Sequence, residues 1–363
     1  MGALGIVFAD GKISELEDLV RVRTEASIPF GGRYRLIDFT LSDMVNADII
    51  QVAIITKRNY QSLMDHIGSG KEWDLSRKNG GIAIFPPFGS YQSESIYANK
   101  IEALMGIIGY IKKSPEENVV LTDCNSVNII DYNKVLKKHQ KNNADITIIY
   151  REGGNDKFNH LALSLDDAKV TGLDFSKHGE NYAIGTYVFK KDLLIKMIEL
   201  ASLKGATSFE QELIINSLGK YNLIGYVHND IYLPIDSMTS YYESNMMLLN
   251  PEIKKEILES IPLYTKVRDS APTKYKQGSV VKNCLIADGC IIEGVVENSI
   301  LFRGVKVAKG AVVKDCILMQ DTQVASGVKL NAVITDKNVK ISENKELSGC
   351  AKLPYFIGKS MSL

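Results

Sequence analysis

The first 250 residues alternate between short apolar runs and longer amphipathic stretches. The run at residues 3–9 is continuously hydrophobic, which is typical of a strand buried on both faces, and residues 51–56 (QVAIIT) and 118–123 (NVVLTD) predict further strands. Residues 93–113 repeat aliphatic side chains at helical spacing and predict an amphipathic helix. Because such strands and helices alternate, we predict an α/β domain with a mostly parallel sheet, whose ligands bind at the carboxyl ends of the strands.

The same pattern predicts the remaining elements of this part of the chain. Further strands are expected at residues 144–151 and 221–231, and short strands with turns at 160–189. A loop with a weak helix is expected at 10–23, and helices are expected at 59–66, 133–143, 191–201, 208–218 and 236–249. Pro251 is expected to stop the last of these helices. A linker that contains further prolines is expected to follow.

From residue 279 the pattern changes to short hydrophobic turns without helical periodicity. Two phrases recur at intervals of about 15 to 21 residues, close to one coil of a β-helix built from hexapeptides. One phrase begins at Val281 (VKNCLI), Val296 (VENSIL) and Val313 (VKDCIL), and the other at Ile286 (IADG), Val307 (VAKG) and Val324 (VASG). We therefore predict a left-handed parallel β-helix with Leu301, Val307 and Val313 facing its core, and a β-sandwich stays the alternative. The small number of coils predicts that an exposed end packs against a partner domain or subunit.

The length of 363 residues exceeds what one hydrophobic core usually holds. We predict the α/β domain at residues 1–250, a linker at 251–278, and the β-helix with a C-terminal tail at 279–363. The formal net charge is zero, so no global field draws the protein to nucleic acid or to an anionic membrane. The five cysteines form no C-x-x-C pair and no apolar run reaches membrane-spanning length, so we expect a soluble cytoplasmic protein with free thiols.

Residues 28–46 (IPFGGRYRLIDFTLSDMVN) predict a glycine loop that leads into a helix with one apolar face. From spacing alone, such a loop is structural. Its wording resembles the most recognisable block of the ADP-glucose pyrophosphorylases (glucose-1-phosphate adenylyltransferases), P-F-G-G-x-Y-R-x-I-D-F-x-L-S-N, with Asp43 in place of the final Asn. The resemblance extends through the segment around Trp73, the junction PLYTKVRDSAPTKY and the coil. It implies a nucleotidyltransferase domain of the Rossmann-like GT-A type followed by a β-helix.

Two positions that handle phosphate in this family are altered here. The family places A-G-G-x-G-x-R-L after the first strand, where backbone amides and the Arg hold a nucleoside triphosphate. Aligned without gaps, the Arg becomes Glu15, and the Lys of the family's A-K-P-A becomes Glu25. At about 4 Å, one repulsion costs about 1 kcal/mol in water and about 4 kcal/mol at an effective dielectric constant of 20. The resemblance thus implies weakened triphosphate binding. The alternative is that Glu15 and Glu25 are merely solvated charges, and the site then still lacks the Arg and the Lys that bind phosphate in the family.

The metal positions are altered as well. Adenylyl transfer uses Mg²⁺ held by carboxylates, and the family supplies one Asp from G-D-H-I-Y and another from W-R-D-V-G-T. By alignment these fall on Asn125 and Pro234, so no metal ligand and no catalytic residue is assigned to this chain. A shift in either loop would instead bring Asp123 or Asp236 into place, and this alternative stays open.

The sugar-phosphate side is less altered. Lys177 lies where the family has a glucose-1-phosphate contact, and a surface lysine is the alternative. Arg21, Arg23, Arg33 and Arg35 form a basic run, and guanidinium groups bind phosphates in a bidentate manner. Because cationic residues near this loop serve anionic effectors in the related enzymes, these arginines are effector or interface candidates. Plain surface solvation is the alternative for them.

Within the family, the pattern resembles the GlgD-type subunit, a paralogue of the catalytic GlgC-type subunit. It implies a regulatory, catalytically impaired subunit in the synthesis of ADP-glucose and pyrophosphate from ATP and glucose-1-phosphate for glycogen. No cofactor of its own is expected, and Mg²⁺ serves the catalytic partner. The expected partners are a GlgC-type subunit in a hetero-oligomer, with a tetramer and self-association as further expectations, and an anionic sugar-phosphate effector.

Two other functions are considered. The first is an active adenylyltransferase with a rearranged phosphate loop. The second is an acyltransferase built on the hexapeptide coil, and such enzymes generally use a histidine of the coil as a base. The five histidines lie at positions 66, 139, 160, 178 and 228, before the coil begins, so we set the acyltransferase aside.

Overall fold

A computed structural model describes residues 2–11, 16–87, 97–153, 160–176 and 180–363. Its contacts divide the chain into two compact units. The first unit consists of Met1–Gly11, Leu41–Cys124 and Ile129–Asp230, and the second of Lys12–Thr40, Asn125–Asn128 and Ile231–Leu363. This grouping follows packing and not sequence order, so the predicted limits 1–250, 251–278 and 279–363 stay a prediction.

In the described ranges, thirteen strands precede the coil in chain order. They are β1 (Ala3–Phe8), β2 (Pro29–Phe30), β3 (Tyr34–Arg35), β4 (Gln51–Ile55), β5 (Gly81–Phe85), β6 (Asn118–Asp123), β7 (Ser126–Asn128), β8 (Ile146–Glu152), β9 (His160–Asp166), β10 (Lys169–Ser176), β11 (Asn181–Lys190), β12 (Leu223–Val227) and β13 (Tyr232–Pro234). The α-helices are α1 (Glu17–Val20), α2 (Leu36–Asn46), α3 (Gln61–Ile67), α4 (Lys100–Gly106), α5 (Ile108–Lys113), α6 (Tyr132–Lys141), α7 (Lys191–Leu203), α8 (Met238–Met247) and α9 (Pro251–Glu259). Short 3-10 turns span Glu25–Ser27, Lys71–Trp73 and Ile215–Ser217, and a π-helix spans Glu210–Ile214.

The first unit is built on a nine-stranded sheet in the order β5-β4-β1-β6-β11-β8-β12-β10-β9. Strands β5, β4, β1 and β6 are parallel neighbours, and β12 is parallel to β8. Strand β11 runs antiparallel to both β6 and β8, and β10 runs antiparallel to β12 and β9. The aliphatic runs predicted as strands are buried in one core with helices α4, α5 and α7. The predicted α/β class is confirmed.

Three predicted helices differ from the observed ones. Of the helix predicted at 93–113, residues 93–96 lie outside the described residues. Helix α4 begins at Lys100, because the Asn99 side chain accepts a hydrogen bond from the Glu102 N–H and caps it there. The helix predicted at 208–218 is a π-helix followed by a 3-10 turn. Pro251 does not simply stop a helix: it is the first residue of α9, where a missing N–H costs nothing.

The second unit contains the predicted coil. Its short strands are β14 (Lys274–Tyr275), β15 (Val280–Lys282), β16 (Leu285–Ile286), β17 (Ile291–Ile292), β18 (Val295–Glu297), β19 (Ile300–Leu301), β20 (Lys306–Val307), β21 (Val312–Lys314), β22 (Ile317–Leu318), β23 (Gln323–Val324), β24 (Lys329–Asn331), β25 (Val333–Thr335), β26 (Lys340–Ile341), β27 (Glu346–Ser348) and β28 (Tyr355–Ile357). They form three parallel five-stranded sheets, β14-β17-β20-β23-β26, β15-β18-β21-β24-β27 and β16-β19-β22-β25-β28. The predicted left-handed β-helix of hexapeptide repeats is confirmed.

The sequence phrases map onto the coil in different ways. Val281 pairs with Val296, which pairs with Val313, so the first phrase stacks in register on one face. Val307 pairs with Val324 on a second face, but Ile286 pairs with Leu301 on the third. The first copy of the second phrase therefore does not stack on the other two. Leu301, Val307 and Val313 are buried as predicted.

The glycine loop at residues 28–46 also belongs to the second unit up to Thr40. Gly31 and Gly32 have φ values of 58° and 82°, which let β2 turn back onto β3. The Gly31 N–H donates to Asn245 Oδ1 at 3.0 Å, and the Tyr241 hydroxyl donates to the Pro29 carbonyl at 2.8 Å. Helix α8 thereby fixes the loop.

Among the helices in the described part of the chain, none combines the length and apolar character needed to cross a bilayer.

Candidate functional site

Three charged side chains meet in the first unit and form what we call the ammonium cluster: Lys100, Asp123 and Glu210. Strand β6 ends at Asp123, and helix α4 begins at Lys100. The Lys100 Nζ lies 2.8 Å from Asp123 Oδ2 and 3.2 Å from Glu210 Oε1. One ammonium group therefore bridges two carboxylates at the carboxyl end of a sheet strand, where α/β proteins bind ligands.

Two aromatic rings enclose the same ammonium group. Phe8 is the register partner of Asp123 across the β1–β6 ladder, and its ring centroid lies 5.3 Å from Lys100 Nζ. The Phe209 ring centroid lies 5.7 Å from Nζ. Burial alone lowers the pKa of Lys100, but Asp123 and Glu210 outweigh it and raise the pKa above its usual value. Lys100 therefore carries its positive charge at neutral pH, between two carboxylates.

The absence of a side chain at Gly185 leaves room for the Asp123 carboxylate. The φ of Gly185 is +77°, and a Cβ built at this position would lie 2.6 Å from Asp123 Oδ2. The register of β11 against β8 shifts between Ala183 and Tyr187, which brings the Gly185 backbone close to the carboxylate. Burial raises the pKa of Asp123, and the Lys100 charge opposes this effect.

The structure brings the two altered metal positions together in the second unit. Pro234 is the register partner of Ser126 in the β7–β13 ladder, and the Ile235 N–H donates to the Asn125 carbonyl at 2.8 Å. The backbone of the two family metal segments thus meets here, but amide and proline side chains replace the carboxylates. Of the alternatives, Asp123 is bound to Lys100, and the Asp236 N–H donates to Ser240 Oγ at 2.9 Å.

Glu25 does not behave as a solvated surface charge. Its side chain lies in the 3-10 turn Glu25–Ser27 and the residue is 5% exposed. Solvation was one of the two interpretations of this position, and for Glu25 burial contradicts it. Glu15 and Lys177 lie outside the described residues.

The four candidate arginines differ in their surroundings. Arg23 is buried and its guanidinium contacts both oxygens of Asp336, at 2.6 and 2.8 Å, while Nη1 donates to the Leu19 carbonyl. Plain solvation is therefore wrong for Arg23. Arg21 and Arg33 are exposed, and Arg33 stacks over the Tyr34 ring at 5.8 Å. Arg35 is half-buried and its N–H donates to Asp38 Oδ2 at 3.0 Å.

Lys337 is a further basic residue near these arginines in the second unit. Burial, followed by the charges of Arg35 and Arg23, lowers the pKa of Lys337 from 10.5 to about 7. Asp336 opposes the shift and Lys359 adds to it. Below about pH 7, Lys337 adds to the positive charge of Arg23 and Arg35 in this part of the second unit.

Lys337→Met should change how stability depends on pH. The unfolded chain keeps the Lys337 proton up to about pH 10.5, whereas the folded chain loses it above about pH 7. Wild-type stability therefore rises through this window, and the penalty of the charged lysine is fully present below it. At pH 7 the variant should have a higher free energy of unfolding than wild type. By pH 9 this difference between the two proteins should be about 2 kcal/mol smaller.

Urea denaturation at several pH values measures this difference. Lys309→Met, at an exposed lysine of the same unit, is the matched control. A gain for Lys337→Met that is equal at pH 7 and pH 9 would show that the lysine is not deprotonated in the folded protein.

Comparison with known proteins agrees with this architecture. The family described as Nucleotidyl transferase matches residues 4–250, and the family described as GlmU-like, C-terminal hexapeptide matches residues 269–349. The glycogen biosynthesis protein GlgD of Bacillus subtilis (strain 168) is 36% identical over 368 residues, covering 99% of this chain and 96% of its own length. The chain belongs to the nucleotidyl transferase family that includes the GlgD proteins. The predicted family membership is confirmed.

Two further members of this nucleotidyl transferase family show the range of its relatives. The glycogen biosynthesis protein GlgD of Geobacillus stearothermophilus is 38% identical over 311 residues, covering 85% of this chain and 82% of its own length. A glucose-1-phosphate adenylyltransferase of Clostridium perfringens (strain SM101 / Type A) is 30% identical over 374 residues, covering 98% and 95%. The relatives thus include proteins named for glycogen biosynthesis and proteins named as adenylyltransferases.

The sequence alone did not identify two members of the ammonium cluster, Lys100 and Glu210. Both stand beside segments that it had marked: Lys100 within the predicted helix 93–113, and Glu210 directly after Ser208-Phe209, where the family has D-F. A charged residue at the start of a helix was the available signal. In the described ranges, no group of three or more His, Cys, Asp or Glu side chains is placed to hold a metal ion.

Proposed function

We propose that this chain is a regulatory, catalytically impaired subunit in ADP-glucose synthesis from ATP and glucose-1-phosphate. Its GlgD and glucose-1-phosphate adenylyltransferase relatives support a role in glycogen biosynthesis. The observation that carries the proposal is the ammonium cluster. Asp123 ends the strand that leads into the altered metal segment, and its carboxylate is engaged by Lys100. Adenylyl transfer requires carboxylates that are available to Mg²⁺.

A second line of support comes from residue types at the phosphate positions. Glu25 stands where the family has a lysine, and it is buried in a 3-10 turn. A carboxylate at this place opposes a triphosphate instead of neutralising it. Asn125 and Pro234 supply no carboxylate to a metal. The chain keeps the fold of the family while its chemistry at these positions differs.

The proposed role requires a partner and an effector. The partner is a catalytic GlgC-type subunit, and the assembly is a hetero-oligomer. Mg²⁺ would be bound by that subunit. The effector is an anionic sugar phosphate, and the guanidinium groups of Arg33 and Arg35 in the second unit have the charge to bind it.

Purified alone with ATP, glucose-1-phosphate and Mg²⁺, the chain should release pyrophosphate at least about a thousandfold more slowly than a catalytic relative, as an unfavourable term of about 4 kcal/mol implies. Robust turnover would refute the proposal and favour an active enzyme with a rearranged phosphate loop. ATP titration by calorimetry separates these two functions, because the active enzyme must bind ATP.

Mixed with a GlgC-type subunit, the chain should co-elute with it and change its rate or its response to phosphorylated sugars. Arg33→Ala with Arg35→Ala should reduce that response, whereas Arg58→Ala, at an exposed arginine of the first unit, should leave it unchanged. Separate elution of the two proteins with no kinetic change would contradict the regulatory role.

A further inference from the structure

The ammonium cluster places a positive charge between two carboxylates that point toward one position. Lys100 Nζ contacts Asp123 at 2.8 Å and Glu210 at 3.2 Å. The three side chains are between 21% and 29% exposed, so solvent reaches them only in part. Two carboxylates around one cation is also the arrangement that binds a divalent metal ion.

We infer that Lys100 is a built-in cation that takes the place of a divalent metal ion between Asp123 and Glu210. The inference deepens the proposed function and rests on it for the identity of the displaced ion, Mg²⁺. The residues present do not fit Mg²⁺, because the ammonium group already occupies the position between the oxygens. The cluster therefore keeps its carboxylates in place without binding a metal.

The surroundings of Nζ suit an ammonium group and not Mg²⁺. Magnesium requires near-octahedral coordination by oxygen and usually keeps several waters. Two directions around Nζ are instead covered by the Phe8 and Phe209 rings, at 5.3 and 5.7 Å. Both phenylalanines are buried. Aromatic faces attract a compact organic cation and provide no oxygen ligand.

Local structure holds Lys100 in this position. The Asn99 Oδ1 accepts from the Glu102 N–H at 3.0 Å, and Asn99 Nδ2 donates to Glu102 Oε1 at 2.9 Å. The Ala98 N–H donates to Glu102 Oε2 at 2.9 Å, so the backbone on both sides of the cap is fixed. At the other end of the contact, the absence of a side chain at Gly185 leaves room for the Asp123 carboxylate. The lysine is built into the start of helix α4.

The charge of the cluster predicts what happens when the lysine is removed. With Lys100 the three side chains sum to one negative charge, and without it to two. Lys100→Met in the full chain should therefore bind Mn²⁺, used as the probe for a divalent cation, about a hundredfold or more tighter than wild type. Electron paramagnetic resonance of free Mn²⁺ measures this binding, and Mn²⁺ should raise the melting temperature of the variant and not that of wild type.

Lys100→Met with Asp123→Asn is the matched control and should lose the Mn²⁺ site. Lys100→Asn is the second variant, which decides the question if Lys100→Met does not fold. Two results would overturn the inference: wild type binds Mn²⁺ and loses it on Asp123→Asn, or both folded Lys100 variants bind Mn²⁺ no better than wild type. Neither result bears on co-elution with a catalytic subunit. The proposed function is therefore tested separately from this inference.

Discussion

Arg23→Met should lower the free energy of unfolding by about 3–5 kcal/mol, because it leaves the Asp336 carboxylate buried without its partner charge. The side chains of Arg23 and Asp336 are 2% and 1% exposed. One guanidinium nitrogen, Nη2, lies 2.6 and 2.8 Å from the two carboxylate oxygens. Little solvent is therefore present to replace the lost charge. Urea denaturation followed by circular dichroism measures the loss.

Arg23→Met with Asp336→Asn is the control for this change. The asparagine is neutral and still offers an oxygen to the Lys337 N–H, which donates to Asp336 Oδ1 at 2.7 Å. The double variant should therefore be more stable than Arg23→Met alone, although it has two substitutions. A single variant that loses less than about 1 kcal/mol, in the range of an exposed ion pair, would show that the pair is hydrated in solution.

Trp73→Ala should cost about 3–5 kcal/mol, because it removes a large side chain from a packed interior. Trp73 is fully buried at the end of the 3-10 turn Lys71–Trp73, and its ring lies 5.9 Å from the His66 ring. It is the single tryptophan of the chain, so unfolding of the variant is followed by circular dichroism and not by indole fluorescence.

Trp73→Phe tests whether the loss of stability comes from the volume that the side chain fills. Within the described ranges, the indole Nε1 has no hydrogen-bond partner, so phenylalanine leaves no acceptor unsatisfied. The phenyl ring keeps most of the contact with His66, and we expect a loss of about 1–2 kcal/mol. Equal losses for the two variants would mean that the cost does not come from the cavity.

Apolar stretches located these strands well, because burial on both faces of a sheet selects apolar side chains along most of a strand. The run at 118–123 coincides with β6, and the run at 51–56 with β4 apart from its last residue. Helix ends were harder to predict, because capping hydrogen bonds decide them. Asn99 moves the start of α4 to Lys100, and Pro251 opens a helix that the linker was not expected to contain.

The site was harder to predict from the sequence, because its residues meet through contacts between distant parts of the chain. The sequence marked Arg23 as one member of a basic run, but the position of its partner, Asp336, depends on how the coil packs. Lys100 and Glu210 are separated by 110 residues and meet only through the strand order of the sheet. Alignment to a family motif does report residue types, and it identified Asn125 and Pro234, whose backbones the structure brings together.

The pair of Arg23 and Asp336 has a consequence for how the protein is made. The two residues are 313 positions apart, and Arg23 lies near the start of the chain while Asp336 lies in the last full turns of the coil. During synthesis, Arg23 leaves the ribosome long before its counter-charge exists. The second unit therefore completes its folding only when nearly the whole chain has emerged. Its residues come from both ends of the chain, so a fragment of the C-terminal part alone does not contain the whole unit.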